Sequence, residues 1–241
     1  MKSWAGCTGS TTDKTSCKIT VAKDSTVTAK FKAAAARKGG AKVSTTEKLL
    51  LDSGNSFGFK LFKEIVKSET DNNIFISPLS ISMALGMTYN GADGTTQQEM
   101  QTTLELNGLT LQQANESYRS LTTLLSSLDP KVKFTLANSI WYRQGFPVED
   151  EFISLNRDYF NAQVSALDFG DPGAPDTINA WVNDKTKGKV PTIVDPPIDA
   201  KTVMFLINAI YFKGDWALKF KEAATKDDLF TLTDGTQKRP V

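Results

Sequence analysis

The chain has 241 residues, 40% hydrophobic and 23% charged, a balance typical of a globular protein with a full-sized core and not of a disordered or fibrous one. Its 28 basic and 27 acidic residues give a formal net charge of +1, so no strong field is available to attract nucleic acid. No apolar segment reaches the ~18 residues of a membrane helix, and the first residues lack the apolar region of a signal peptide. We therefore expect no nucleic-acid partner and no membrane span.

The sequence contains no histidine. This excludes Ser-His-Asp and Cys-His catalysis and histidine-ligated metals, so we expect no cofactor, no metal and no enzymatic activity. The two cysteines, Cys7 and Cys17, lie in a Gly/Ser/Thr-rich stretch, which is a poor setting for a catalytic thiolate. We favour a short disulfide loop between them over the alternative of two free thiols.

The first part of the chain differs in composition from the remainder. Residues 1–33 include "CKITVAKDSTVTAKF", in which apolar and polar residues alternate around a Lys-Asp-Ser turn, and this indicates a β-rich fragment. Residues 34–50 are rich in Ala, Lys and Gly, become polar and show no periodicity, which is typical of a linker. We predict a main domain over residues 51–241.

Helical patterns follow in that main domain. From Asn55 onward, apolar residues recur at three- and four-residue spacing. A second helix is predicted after Ser77, which is placed as the N-cap, with Pro78 at the first helical position. Two further helices are predicted from Thr-x-x-Gln capping boxes that begin at Thr95 and Thr110.

Strands and helices then alternate, which indicates an α+β fold. Strands are predicted at "VKFTLANSIWYRQ" and "AQVSALDF", with a short helix at "EDEFISLNRDYF" between them and an amphipathic helix in "DTINAWVNDKTKGKV". The run 202–212, "TVMFLINAIYF", is too continuously apolar for a half-exposed strand, so we place it in the middle of a covered sheet. Asn208 within this run needs buried partners, because an unpartnered amide costs about 1–3 kcal/mol.

Three short motifs suggest chemistry that their context does not support. "GNSFG" at 54–58 matches a hydrolase nucleophile elbow, but Ser56 begins a helical pattern and no histidine could activate it. The acidic cluster at 149–151 falls in the first turn of a predicted helix, where negative charge complements the helix dipole. "NES" at 115–117 matches a glycosylation sequon; it lies within a predicted helix, and we interpret the match as chance.

Three longer segments carry a family resemblance. "NNIFISPLSISMALGMTYNGADGTTQQEM", "INAWVNDKTKGKV" and "FLINAIYFKGDWALKF", in this order, closely resemble the serpin family of serine and cysteine protease inhibitors. The resemblance covers residues 50 to 241 and implies a truncated serpin-type α+β fold, with the N-terminal helices, part of sheet A and the start of sheet C. Residues 1–33 resemble the end of a β-rich, disulfide-bearing repeat of bacterial surface proteins.

The resemblance also assigns roles to individual residues. Asn208 matches the shutter asparagine on the central strand of sheet A, and Ser77 and Ser80 match the shutter serines on the helix beneath. Trp216 matches the tryptophan at the breach, where the reactive loop first enters the sheet. The helix that lies across sheet A is matched by a segment that contains Asn179, Trp181, Val182 and Thr186.

A function follows from the resemblance. In serpins a protease attacks a peptide bond of an exposed loop and becomes acylated by it, the loop inserts into sheet A as a new strand, and the trapped protease is distorted. The resemblance therefore implies a microbial, extracellular or cell-surface inhibitor of a serine-type or cysteine-type endopeptidase. The sequence ends at "TDGTQKRPV", before the family's reactive loop, so we expect the reactive-site residue to be absent and this piece alone to be inactive.

Two alternatives stay open. One is a non-inhibitory serpin used as a binding or structural module, which the hinge sequence before the reactive loop would distinguish. The other is a gene fragment without function, against which in-frame sequence beyond Val241 would argue. In either case the run 202–212 is predicted to expose a long apolar strand edge, a site of aggregation or strand exchange.

Overall fold

The computed structural model of the protein describes residues 43–69, 72–127, 130–216, 218–231 and 235–238. The predicted β-rich fragment 1–33 and the two cysteines lie outside these ranges. The helices are α1 (Thr45–Ser68), α2 (Pro78–Tyr89), α3 (Gly94–Thr103), α4 (Leu111–Ser127), α5 (Asp150–Phe160) and α6 (Ala174–Lys185). The strands are β1 (Lys133–Arg143), β2 (Gln163–Leu167), β3 (Met204–Lys213), β4 (Phe230–Thr231) and β5 (Gln237–Lys238).

Helix α1 begins at Thr45, before the apolar pattern that predicted it, so residues 45–50 of the predicted linker are helical. The reason is a capping box: the Glu47 amide donates to the Ser44 hydroxyl, and the Ser44 amide donates to the Glu47 carboxylate. Hydrogen bonds from the Ser120 hydroxyl and the Ser44 amide hold the pKa of Glu47 below its ordinary value. The Ser120 contact also ties the start of α1 to α4.

The predicted capping signals are confirmed at two helices and wrong at one. Pro78 is the first residue of α2, and its N-cap Ser77 accepts a hydrogen bond from the Ser80 amide. Thr110 and Gln113 form the predicted box before α4. Helix α3 begins at Gly94 instead of after Thr95. The carboxylate of Asp93 caps it by accepting from the Gly94 amide at 2.7 Å, and this starts the helix earlier.

The main sheet has the order β2-β1-β3, with β1 parallel to β2 and antiparallel to β3. Strands β4 and β5 form a separate antiparallel pair. The expectation that the run 202–212 lies in the middle of the sheet is wrong for the described residues, among which β3 pairs only with β1. Its continuous apolar pattern reflects burial of both faces, since Leu206 and Ile207 pack into different apolar clusters.

Two apolar clusters occupy the two faces of this sheet. The first lies against α1, α2, α4 and α5, and its buried members include Met83, Met87, Tyr118, Ile140 and Phe160. The second lies beneath α6, and its buried members include Trp141, Ile178, Val182 and Ile207. Successive residues Ile140 and Trp141 enter opposite clusters, as the alternation of side chains along a strand requires. The sheet is therefore covered on both faces.

A network of asparagines connects the helices on the first face. The Asn115 amide donates to the Asn90 side-chain oxygen at 2.7 Å, and the Asn90 amide donates to that of Asn156 at 3.2 Å. The Asn156 amide in turn donates to the Phe152 carbonyl at 2.9 Å. Asn115 and Asn156 are 2% and 0% exposed. These bonds join α4, the end of α2 and α5, and they satisfy amides that would otherwise be costly to bury.

Candidate functional site in the central sheet

A chain of polar side chains crosses the first face of the sheet at Asn208. The Ser80 hydroxyl on α2 donates to Oδ1 of Asn208 at 2.5 Å, and Nδ2 of Asn208 donates to Oδ1 of Asn138 on β1 at 2.7 Å. Nδ2 of Asn138 donates to the carbonyl of Phe160, also at 2.7 Å. We call these four residues the sheet relay. It supplies the partners that Asn208 was predicted to need.

The backbone explains why these groups meet. Asn138 and Asn208 are directly opposite each other in the antiparallel register of β1 and β3, so their side chains share a face. Phe160 is the last residue of α5, where a carbonyl has no intrahelical donor. Asn161 ends the helix in the left-handed conformation, with φ 50°, which leaves the Phe160 carbonyl available to Asn138.

The structure brings together two of the three predicted shutter residues. Ser80 and Asn208 are hydrogen-bonded, whereas Ser77 is exposed and its hydroxyl caps α2. Asn138 belongs to the group and was missed. It is 3% exposed and lies in "TLANSIW" between Leu136 and Ile140, the apolar residues two positions away on the same face of the strand.

Helix α6 covers the second face of the sheet, where the family resemblance placed it. Ile178 and Val182 are almost completely buried in the cluster beneath it. Trp181 meets the ring of Trp141 edge to face, with 6.4 Å between centroids and 79° between ring planes. The Trp141 indole donates to the Ser139 hydroxyl at 2.9 Å. The contact of α6 with the sheet is therefore apolar and aromatic.

The other two predicted residues of this helix hold the segment that follows it. Oδ1 of Asn179 accepts from the amides of Ile193 and Val194 at 2.9 and 3.0 Å, and its Nδ2 donates to the Val194 carbonyl at 2.8 Å. The buried hydroxyl of Thr186 accepts from the Val190 amide at 3.0 Å. Asn179 and Thr186 thus anchor the returning chain against α6.

Trp216 lies apart from the sheet relay. Its side chain is 71% exposed, and within the described residues its ring packs edge to face on Phe220, with 5.4 Å between centroids. It follows the end of β3 by three residues. The structure shows its place in the chain, and its predicted role in admitting a loop stays a prediction.

The chemistry available at this site is hydrogen-bond exchange. Hydroxyl and amide groups both donate and accept, so they can change partners without creating an uncompensated charge. In the part of the chain that the structure describes, no group of three or more His, Cys, Asp or Glu side chains could hold a metal ion. None of the described helices combines the length and apolar character needed to cross a membrane.

Comparison with known proteins gives a consistent result. The family model described as Serpin (serine protease inhibitor) matches residues 52–241. Glia-derived nexin of Rattus norvegicus is 34% identical over 189 residues, which cover 77% of this chain and 47% of the nexin. The leukocyte elastase inhibitor of Xenopus tropicalis is 35% identical over 189 residues, which cover 76% of this chain and 49% of the inhibitor. The chain thus spans about half the length of the curated relatives it matches.

Solved structures agree with the sequence matches. The thermophilic serpin Tengpin in its latent state is 30% identical, with a TM-score of 0.70, and the match covers 83% of this chain and 52% of Tengpin. Native protease nexin-1 crystallised with heparin is also 30% identical, with a TM-score of 0.70, and the match covers 81% of this chain and 52% of the nexin. The helices and the three-stranded sheet described above therefore have a known counterpart.

Proposed function

Because the chain belongs to the serpin family, of which the matched members include an elastase inhibitor, we propose that the protein inhibits an endopeptidase of the serine or cysteine class. In this proposal the protease cleaves a reactive loop outside the residues described, and the loop is added to the main sheet as a strand. The partner is the target protease. The cysteine pair and the repeat-like fragment 1–33 favour an extracellular or cell-surface location.

The observation that carries the proposal is the edge of β3. In the described part of the chain β3 has one hydrogen-bonded neighbour, β1, so the backbone groups of its other edge are available to further strands. The strand runs for ten residues, from Met204 to Lys213, and residues 204–207 pack into both apolar clusters, so a strand added beside them would continue a sheet whose layers already exist.

The polar groups at this strand support the same proposal. Asn208 sits in the middle of β3 and is joined to α2 through Ser80 and to β1 through Asn138. When strands move apart to admit another, a hydroxyl or amide can replace one partner by another, which an apolar side chain cannot do. Asn179 of α6 also fixes the segment that leads from the covering helix towards β3.

The test is to read the gene in frame beyond residue 241, express the whole product and mix it with serine and cysteine endopeptidases. We expect a covalent complex that survives SDS, and the cleavage site will identify the specificity residue. Cleavage without a complex would contradict inhibition and favour a non-inhibitory serpin. Residues 1–241 alone serve as the control, from which we expect no inhibition; stoichiometric inhibition by them would place the inhibitory residues within this chain.

A further inference from the structure

The sequence contains two Asn-Gly pairs, at 90–91 and at 107–108. In such a pair the backbone nitrogen of glycine can attack the side-chain carbonyl carbon of asparagine. A carbon–nitrogen bond closes a succinimide ring, and the side-chain nitrogen leaves as ammonia. Water then opens the ring to aspartate or isoaspartate. Glycine favours the reaction because no Cβ hinders the attack, so the surroundings of each pair decide whether it reacts.

The pair at 107–108 is open to this reaction. It occupies the centre of a tight turn that closes with a hydrogen bond from the Leu109 amide to the Leu106 carbonyl at 3.1 Å. Asn107 and Gly108 are exposed, and Gly108 has φ +88° with no atom within 4 Å of the position a Cβ would take. Among the described residues, nothing hydrogen-bonds to the Asn107 side chain or to the Gly108 amide. The Asn107 side chain and the Gly108 amide nitrogen are therefore free to approach each other.

The pair at 90–91 is restrained by hydrogen bonds and close packing. The Asn90 side chain donates to Asn156 and accepts from Asn115, and the Gly91 amide donates to the Thr88 carbonyl at 2.9 Å. A Cβ placed on Gly91 would lie 2.9 Å from the ring of Phe152, so the backbone is also packed closely. Ring closure at Asn90 requires three hydrogen bonds to break together, and this amounts to a local unfolding event.

We propose that Asn107 is a site of spontaneous deamidation in the folded protein and that Asn90, which also precedes a glycine, is protected by the fold. The reaction adds one negative charge, which takes the formal net charge from +1 to zero. Isoaspartate also lengthens the backbone of the turn by one atom. The turn lies between the buried Leu106 and Leu109, whose carbonyls both accept from the Gln101 amide. Isoaspartate therefore loosens the connection between α3 and α4.

The experiment compares both sites in one sample. The 241-residue chain is incubated in mildly alkaline buffer, folded or in urea, and peptides containing each pair are followed by mass spectrometry, with isoaspartate methyltransferase labelling. In the folded chain we expect Asn107 to deamidate at least about tenfold faster than Asn90. This ratio corresponds to a free energy of about 1.4 kcal/mol for local opening at Asn90. In urea the two rates should converge. Equal rates in the folded chain, or an intact Asn107, would overturn the proposal.

Two variants separate the reaction from its consequence. Asn107→Gln removes the five-membered ring closure, so methyl acceptance at this site should disappear while Asn90 behaves as before; labelling that persists would mean that another residue reacts. Asn107→Asp carries the new charge with a normal backbone, so its urea midpoint should equal that of the fresh protein. The aged isoaspartate fraction should unfold at lower urea. A midpoint equal to that of Asn107→Asp would contradict the loosening of the turn.

Discussion

Nδ2 of Asn208 donates to Oδ1 of Asn138 at 2.7 Å, across a directly opposed pair of residues in β1 and β3. The amide of Asn138 is already engaged by the Phe160 carbonyl, and the oxygen of Asn208 accepts from Ser80. Each group in the sheet relay thus depends on the next for its partner. A fully satisfied polar network in an apolar layer is stabilising, and one with a member removed is costly.

We expect Asn138→Ala to lower the free energy of unfolding by about 2–3 kcal/mol, because it leaves the Asn208 amide and the Phe160 carbonyl unpartnered in the core. Urea denaturation measures the difference. The matched control is Asn183→Ala, the same substitution at an exposed position of α6, which should stay within about 0.5 kcal/mol of the wild type. An effect at Asn138 no larger than that of the control would show that the relay contributes nothing to stability.

Ser80 and Asn208 should be energetically coupled, and Ser77 and Asn208 should not. In a double-mutant cycle with alanine, we expect an interaction energy of about 0.5–3 kcal/mol for the first pair and less than about 0.5 kcal/mol for the second. Ser77→Ala should still cost about 1 kcal/mol on its own, since it removes the cap of α2. Strong coupling between Ser77 and Asn208 would show that Ser77 interacts with the sheet relay, as the family resemblance implies.

Asn179→Ala should release the segment that follows α6 and leave the helix in place. The change removes one acceptor and one donor that together fix Ile193 and Val194. We expect faster hydrogen exchange at the amides of these two residues and faster proteolysis between residues 186 and 203. Asn183→Ala, in the same helix, provides the control. Unchanged exchange at both amides would mean that other contacts hold this segment.

Tyr118 should make stability depend on alkaline pH. Burial raises the pKa of Tyr118 from 10.0 to about 12. The unfolded chain loses the Tyr118 proton at lower pH than the folded chain. The pKa difference therefore leaves the free energy of unfolding unchanged below pH 10 and lowers it as pH rises towards 12. The stability difference between wild type and Tyr118→Phe should change by up to about 2.7 kcal/mol across that window. A difference that stays constant above pH 10 would contradict the raised pKa.

The edge of β3 should make the 241-residue chain prone to association through strand pairing. Phe212 is 67% exposed near the end of β3, so Phe212→Lys places a charge at this edge and should slow the growth of light scattering and thioflavin T signal. Phe75 is 99% exposed outside any strand. Phe75→Lys makes the same substitution with the same change in charge, and an equal effect of both variants would indicate general apolar contact instead of edge pairing.

The features that the sequence predicts are those that local contacts determine. Ser77 with Pro78, and Thr110 with Gln113, are local signals whose partners lie within one helical turn, and the structure confirms both. The apolar run around Asn208 predicted that its amide needs partners, and Ser80 and Asn138 supply them. Its partner Asn138 is 70 residues away in the sequence, and only strand pairing reveals it.

Other features depended on tertiary structure in the same way. The early start of α1 rests partly on the contact between Glu47 and Ser120, which no local pattern contains. The apolar run of β3 predicted burial of both faces, which the structure shows for residues 204–207, but burial of faces does not determine how many strands lie alongside. The anchoring role of Asn179 likewise depends on Ile193 and Val194 returning to the helix.

The burial of Asn115 determines when a sugar could be attached to this chain. Asn115 and Ser117 are the first and last residues of the tripeptide "NES", and both are 2% exposed in the folded domain. The Asn115 side-chain amide donates a hydrogen bond to Asn90. An oligosaccharyltransferase needs that same amide nitrogen, extended and accessible, so it could act only on the chain before α4 packs. A glycan attached then would prevent the asparagine network from closing, and glycosylation and folding at this tripeptide are mutually exclusive.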